Sequence, residues 1–300
     1  MIWMNYAAYF DCIEVVRTHL LPRYATYLSY SAGYKTIKLY LNGVRLFYIS
    51  RNMPNPLADN YQHKQHMESL RRIKGDISKP KLPITVTELL WLAAACDATS
   101  PADVAFTVAA LIAFFAFLRK SNVTTGVQQS DDITHALLAG DVVIDNDTYT
   151  LWITLRCTKT IQFGERKLYI PIAGMRGSPI DPIAWWKLHL RSSALPRKAD
   201  AHAFAYQVKG TSRWVNLTHS AFVKRLKLVL ARNGVDSANY AAHSFRRGGA
   251  TFAYAAGVGD ALIKALGDWR SNAYLRYIEL STALRVHAAR QMAKLAASSC

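Results

Sequence analysis

Residues 243–250 read HSFRRGGA and place an imidazole and a guanidinium on one predicted helix face. His243 and Arg246 are three positions apart, so they share a face if a helix begins at His243. Backbone N–H groups in the first turn of a helix favour an anion, and an imidazole and a guanidinium beside them strengthen that preference. The motif by itself is also compatible with a surface pair that has no function.

A second motif follows at residues 267–280, GDWRSNAYLRYIEL. Gly267 is predicted to end one helix, and Tyr274 and Tyr277 lie three apart on the next short one. A phenol can attack phosphorus if the phosphoryl oxygens are neutralised and a proton acceptor is near. Either tyrosine can instead be a packing aromatic. Asp268 either lies beside such a site or caps the next helix.

Two more cationic side chains are candidates for the same phosphate chemistry. Arg119 ends the apolar run in FFAFLRKSNV, residues 114–123. An arginine there either extends to water or is held at a cleft, where a guanidinium suits bidentate phosphate binding. Lys159, in RCTKTIQFGERK at residues 156–167, lies on or just after a predicted strand. It is either solvated or able to enter a nucleic-acid groove and deliver a proton.

The order Arg, Lys, His-x-x-Arg, Trp, Tyr resembles the tyrosine recombinases, the family of phage integrases and transposon recombinases. The resemblance is carried by TKT around Lys159, by HSFRRGGAT followed by AGV, and by GDWRSNAYLRYI. LRKSNV and GDWRSNAYLRYI are most similar to recombinases of eukaryotic mobile elements of the Crypton type. The similar region covers about residues 85–280, and the N-terminal helices resemble the family's core-binding domain more loosely.

The resemblance implies cleavage and rejoining of DNA through a 3′-phosphotyrosyl intermediate, without ATP, metal or other cofactor. Carried over, Tyr277 is the nucleophile, and Arg119 and Arg246 bind the non-bridging oxygens. Tyr274 remains a rival nucleophile, because Trp269 and Tyr277 are only eight residues apart.

The remaining roles follow from the same resemblance. Lys159 protonates the leaving 5′-oxygen, and His243 gives acid or base support to the tyrosine. Trp269 hydrogen-bonds to the phosphate or packs against it. Asn122 stands where relatives often carry an acidic residue, and its amide can still hold Arg119 by accepting a hydrogen bond.

Composition agrees with a nucleic-acid partner. The 300 residues carry 37 Lys and Arg against 20 Asp and Glu, a net charge of +17, which indicates a polyanionic partner, nucleic acid first and an anionic membrane second. The resemblance narrows this partner to double-stranded DNA. With 51% hydrophobic residues the chain is not disordered. The four cysteines lack a repeated spacing, which argues against a disulfide scaffold. The N-terminus has no basic signal-peptide start, and the apolar run 104–118 is shorter than the ~20 residues of a spanning helix, so we expect a soluble, non-secreted protein.

The periodicity predicts a mainly α fold with a small antiparallel β-sheet. We expect a helical core-binding domain at 1–78, a linker at 79–84, and a catalytic domain at 85–300. The Gly- and Pro-containing stretch 75–84 marks the boundary. Three β-rich runs, near 142–145, 149–156 and 167–171, interrupt the helices of the second domain.

Basic residues in both regions are candidates for phosphate contacts, although each is also compatible with a solvated surface. They are Lys35, Lys38, Arg45, Arg71, Arg72, Lys79, Lys81, Lys224, Arg225 and Lys227. Residues 281–298 can form an amphipathic helix. In relatives such a helix joins protomers into a tetramer on DNA, so we expect a homotetramer there, although the helix can equally pack on its own domain.

The sequence leaves three other functions open. A type IB topoisomerase resembles the family in its catalytic residues. An inactive, domesticated element would bind DNA without cleaving it. An RNA- or membrane-binding protein would explain the charge but not the ordered set of motifs.

Overall fold

The computed structural model describes residues 20–75, 81–126, 135–158, 161, 165–192, 199–276 and 278, together with 286, 289, 290 and 293. By its internal contacts the chain divides into two compact units, Met1–Pro80 and Lys81–Cys300. Within the described residues, no helix has both the length and the apolar character needed to cross a membrane.

The first unit is built from helices that bury one apolar face each. Its described helices are α1, Leu20–Ser29, α2, Tyr34–Ile49, and α3, Tyr61–Lys74. α2 buries the apolar face that recurs at steps of four, three and four in its sequence, and the residues of this face are Ile37, Leu41, Val44 and Tyr48. The side chain of Asn60 caps the start of α3, and Gly75, directly after the helix, has φ +69°, a conformation that favours glycine.

The second unit has a helical scaffold around an apolar central helix. Its described helices are α4, Val86–Ala94, α5, Pro101–Phe115, α6, Lys120–Val123, α7, Pro182–Ser192, α8, His219–Arg232, α9, His243–Ala255, and α10, Asp260–Leu266. Thr85 and Glu88 form a capping box at the start of α4. α5 is buried on all sides from Val104 to Phe114, so this apolar run forms a core helix of the unit.

The three predicted β-runs form one antiparallel sheet in the order β1, β2, β3, with strands Val142–Asp145, Thr150–Leu155 and Leu168–Ala173. Ile153 pairs with Val142 on one side and Ile170 on the other, and all three are buried. A second hairpin, β4 (Tyr206–Gln207) and β5 (Trp214–Val215), was not predicted. Two-residue strands are too short for an alternating pattern to reveal them. The predicted fold class, mainly α with a small antiparallel sheet, is confirmed.

The two glycines of HSFRRGGA allow α9 to lie directly against its neighbours. A Cβ on Gly248 would lie 2.0 Å from the carbonyl oxygen of Ile84, and one on Gly249 would lie 2.0 Å from that of Phe114. Only a residue without a side chain permits these approaches. The start of α9 is thereby fixed beside the end of α5, where the candidate site lies.

Candidate active site

Arg119 lies at the turn that joins α5 to α6. Phe117 has φ +51°, a left-handed conformation that reverses the chain after α5. Arg119 then precedes α6 in an extended conformation, and its side chain is 20% exposed. Its guanidinium is therefore partly covered and still reachable from solvent.

The buried amide of Asn122 ties this turn to two other segments. Its Oδ1 accepts a hydrogen bond from the backbone N–H of Arg119 at 3.2 Å. Its Nδ2 donates to the carbonyl oxygens of His135 at 2.9 Å and Cys157 at 3.3 Å. Asn122 thus fixes the turn at Arg119 through the backbone of that residue.

Arg246 is the most deeply placed cation of the site, with 3% of its surface exposed. Its Nη1 donates to the carbonyl oxygen of Phe117, and its Nη2 donates to that of Gly267 at 2.5 Å. These bonds join α9 to the end of α5 and to the segment that follows α10. The arginine is fixed in place by segments far apart in the sequence.

Trp269 forms the apolar wall against which Arg246 rests. The guanidinium carbon of Arg246 lies 4.0 Å from the centroid of the indole ring, a cation–π contact. Phe117 and Tyr274 pack on the same ring, each with 6.2 Å between ring centroids. Gly267 leaves room for the indole, because a Cβ there would overlap it at 1.6 Å.

The carboxylate of Asp268 lies among hydroxyl and guanidinium groups. Its Oδ2 accepts from Thr158 Oγ1 at 2.5 Å and lies 3.8 Å from Arg119 Nη1. Its Oδ1 accepts from Arg166 Nη2 at 2.5 Å. Asp268 is 5% exposed and has φ +52°. The sequence left its role open between the site and a helix cap, and these contacts place the side chain beside Arg119.

His243 begins α9, as the sequence predicts, and lies among positive charges. Burial lowers the pKa of its imidazole first, and the charges of Arg246, Lys120 and Arg119 lower the pKa further. A neutral imidazole can accept a proton near pH 7. His219 contributes in the same direction, and its own pKa is lowered by burial and by Lys120.

Tyr274 is buried against Trp269. Burial raises the pKa of its phenol, and a hydrogen bond to Asp260 raises the pKa further. A phenol in this environment gives up its proton less readily than an exposed one.

Some predicted residues lie outside the described part of the chain. They are Lys159, Tyr277, Lys79 and most of 281–298. Described residues precede two of them directly in the sequence. Thr158, which precedes Lys159, contacts Asp268, and a 3₁₀ turn, Asn272–Arg276, leads up to Tyr277.

The predicted DNA-contacting residues have different surroundings. Lys38, Arg72 and Lys224 are exposed. Arg45 donates to Asn42 at 3.0 Å, and Arg71 lies 3.7 Å from Glu68.

Arg225 is engaged within its own unit. Its Nη2 donates to Asp103 at 2.5 Å and to the carbonyl oxygen of Ala95 at 2.7 Å. Lys81, in the same unit, donates to the carbonyl oxygen of Ala238 at 2.6 Å.

Sequence reasoning missed several members of this cluster. Arg166, Thr158 and His219 lie on segments whose meeting depends on tertiary structure, so no local spacing indicates them. The glycine pair after Arg246 was a usable signal, because two adjacent glycines inside a helix point to close backbone packing.

No protein-family model and no curated protein matches the sequence. Solved structures do match. XerH site-specific recombinase, in a post-cleavage complex with palindromic difH substrate, aligns over 96% of this chain and 75% of its own, with a TM-score of 0.61 and 15% identity. The Tn1549 transposon integrase, in complex with transposon right-end DNA, aligns over 95% and 87%, with a TM-score of 0.56 and 15% identity. XerA recombinase aligns over 96% and 88%, with a TM-score of 0.50 and 13% identity.

These matched proteins are tyrosine recombinases. The likeness extends over most of each chain at low identity, and it therefore establishes a fold. This chain has the two-domain tyrosine recombinase fold, as the resemblance implied.

Proposed function

We propose that this protein is a site-specific DNA recombinase that cleaves and rejoins strands through a 3′-phosphotyrosyl intermediate. The observation that carries the proposal is the bonding of Arg246. One of its nitrogens donates to the carbonyl of Phe117, two residues before Arg119, and another donates to Gly267, ten residues before Tyr277. A single buried arginine thus connects the segment of the other arginine with the segment of the proposed nucleophile.

The positive charges of the two arginines complement the negative charge that develops during the reaction. A phosphodiester carries one negative charge, and an attacking phenolate adds a second. Arg119 and Arg246 offset this charge on the non-bridging oxygens. Their effect is strongest where water is scarce, and Arg246 is almost completely buried.

The proton transfers are assigned to the neighbouring groups. The Tyr277 oxygen attacks phosphorus, the bond from phosphorus to the 5′-oxygen breaks, and the phenol proton passes to neutral His243. Lys159 gives a proton to the departing 5′-oxygen. In rejoining, the 5′-hydroxyl attacks phosphorus, the bond to Tyr277 breaks, and the protons return. The phosphodiester energy is retained in the intermediate throughout.

Tyr277 is favoured over Tyr274 as the nucleophile on physical grounds. Tyr274 is buried against Trp269, and its raised pKa makes the attacking phenolate harder to form. Its hydrogen bond to Asp260 also engages the phenol oxygen with a carboxylate.

Double-stranded DNA is the proposed partner. The net charge of +17 supports a strong, salt-dependent attraction to phosphates. Exchange of both strands between two duplexes breaks four phosphodiesters. With one nucleophile per chain, it requires four copies, so we propose a homotetramer on DNA.

Covalent capture tests the proposal without knowledge of the target. The protein is incubated with a pooled library of nicked duplexes from which cleavage releases the short 5′-hydroxyl fragment, so that rejoining cannot occur. We expect a DNA adduct that survives denaturing electrophoresis, and its DNA gives the target sequence. Salt-sensitive DNA binding without any adduct would instead support a protein that binds DNA and does not cleave it.

A further inference from the structure

Asp268 brings three separate segments together at one buried carboxylate. Thr158 lies at the end of the segment that leads to Lys159, and its hydroxyl donates to Oδ2 at 2.5 Å. Arg166, eight residues after Thr158 in the sequence, donates to Oδ1 at 2.5 Å. Arg119 approaches Oδ2 to 3.8 Å from the start of α6. Asp268 itself precedes Trp269 on the segment that leads to Tyr277.

Asn122 cannot supply a negative charge to Arg119 in this structure. Its Nδ2 donates to two carbonyl oxygens, those of His135 and Cys157. A carboxylate at this position would place an oxygen against both carbonyls, which is unfavourable in a buried site. Among the described residues, Asp268 is the carboxylate that forms an ion pair with Arg119.

We propose that Asp268 is a positioning residue that orients the guanidinium of Arg119 for the scissile phosphate. At 3.8 Å the pair is longer than a hydrogen bond, so the attraction orients Arg119 without engaging its N–H donors. Arg166 and Thr158 hold the carboxylate in turn. This inference rests on the proposed recombinase function.

The direct test is a double-mutant cycle with Asp268→Asn and Arg119→Ala. Single-turnover adduct formation is measured on a nicked duplex recovered from the library. Arg119→Ala should slow the reaction about 10²–10³-fold, as loss of an oxyanion donor does. Asp268→Asn should slow it about 10²-fold through misplacement of Arg119. If Asp268 acts through Arg119, the double variant should be no more than about threefold slower than Arg119→Ala.

Asp141→Asn is the matched control. Asp141 is a buried carboxylate of the same unit that lies 2.9 Å from Arg156 and also accepts from the backbone of Leu138. We expect its loss to lower the melting temperature and to leave the rate of the folded protein within about threefold of wild type. A merely structural role for Asp268 predicts this same behaviour for Asp268→Asn, and that result would overturn the inference.

Thr158→Val provides a second route if Asp268→Asn does not fold. It keeps the side-chain shape and removes the hydroxyl that holds Oδ2, and its effect should likewise shrink in the Arg119→Ala background. In the opposing outcome, wild type forms the adduct while the rate losses of the single variants multiply in the double variants. That result would refute the positioning role and leave the recombinase proposal standing. Absence of the wild-type adduct would overturn both.

Discussion

The guanidinium of Arg246 lies over the indole of Trp269, with 4.0 Å between the guanidinium carbon and the ring centroid. Both side chains are buried, and Arg246 also donates to the carbonyls of Phe117 and Gly267. The indole therefore fixes the orientation of the Arg246 guanidinium plane. A cation–π contact in a desolvated site contributes about 2 kcal/mol.

Trp269→Phe should consequently slow adduct formation about tenfold, because a smaller ring gives weaker support to Arg246. The measurement is the single-turnover rate on a captured substrate, together with a thermal melt. Trp152→Phe is the control, since Trp152 is exposed on the outer face of the sheet of the same unit. If both variants react at the wild-type rate, Trp269 does not position Arg246.

The glycine pair of α9 predicts a stability effect. Gly248→Ala places a Cβ 2.0 Å from the Ile84 carbonyl oxygen, so the backbone must shift. We expect destabilisation of about 3 kcal/mol or more, measured by denaturant unfolding. Gly126→Ala is the control, because the space around Gly126 is open and its φ is not positive. Equal unfolding free energies for the two variants would contradict the close packing of α9.

Substitutions of two neighbouring cationic residues on α8 should distinguish a DNA contact from a structural ion pair. Lys224 is exposed, whereas Arg225 is bonded to Asp103 and to the Ala95 carbonyl. We expect Lys224→Ala to reduce the slope of log affinity against log salt by about one and to leave the melting temperature unchanged. Arg225→Ala should instead lower the melting temperature and leave the slope unchanged. The reverse pattern would assign the phosphate contact to Arg225.

Two buried histidines predict acid sensitivity of the second unit. Burial lowers the pKa of both His189 and His202 to about 4. The unfolded chain, with histidine pKa values near 6.5, therefore binds more protons than the folded chain between pH 6.5 and 4. Stability is fully present above pH 6.5 and falls as the pH drops toward 4, by on the order of 3 kcal/mol per imidazole.

The effect is measured by thermal melts of wild type and of the double variant His189→Gln/His202→Gln across this pH range. The variant should show a flatter dependence of melting temperature on pH than wild type. Identical slopes for the two proteins would remove these histidines as the cause.

Local features of the structure were predictable from the sequence because their causes are local. The Thr85 capping box and the Thr218 cap of α8 depend on side chains within three residues of the bonds they make. The buried face of α2 follows from periodicity alone. The site was only partly predictable. His243 and Arg246 share one helix, but Asp268 meets Thr158 and Arg166 across more than 100 residues. No sequence spacing encodes that meeting, which depends on how the helices pack.

The most direct test of the account is the identity of the residue that becomes linked to DNA. Wild type, Tyr277→Phe and Tyr274→Phe are incubated with the captured nicked duplex and compared on denaturing gels. We expect an adduct from wild type and from Tyr274→Phe, and none from Tyr277→Phe. An adduct that persists in Tyr277→Phe, or that is lost only in Tyr274→Phe, would contradict it.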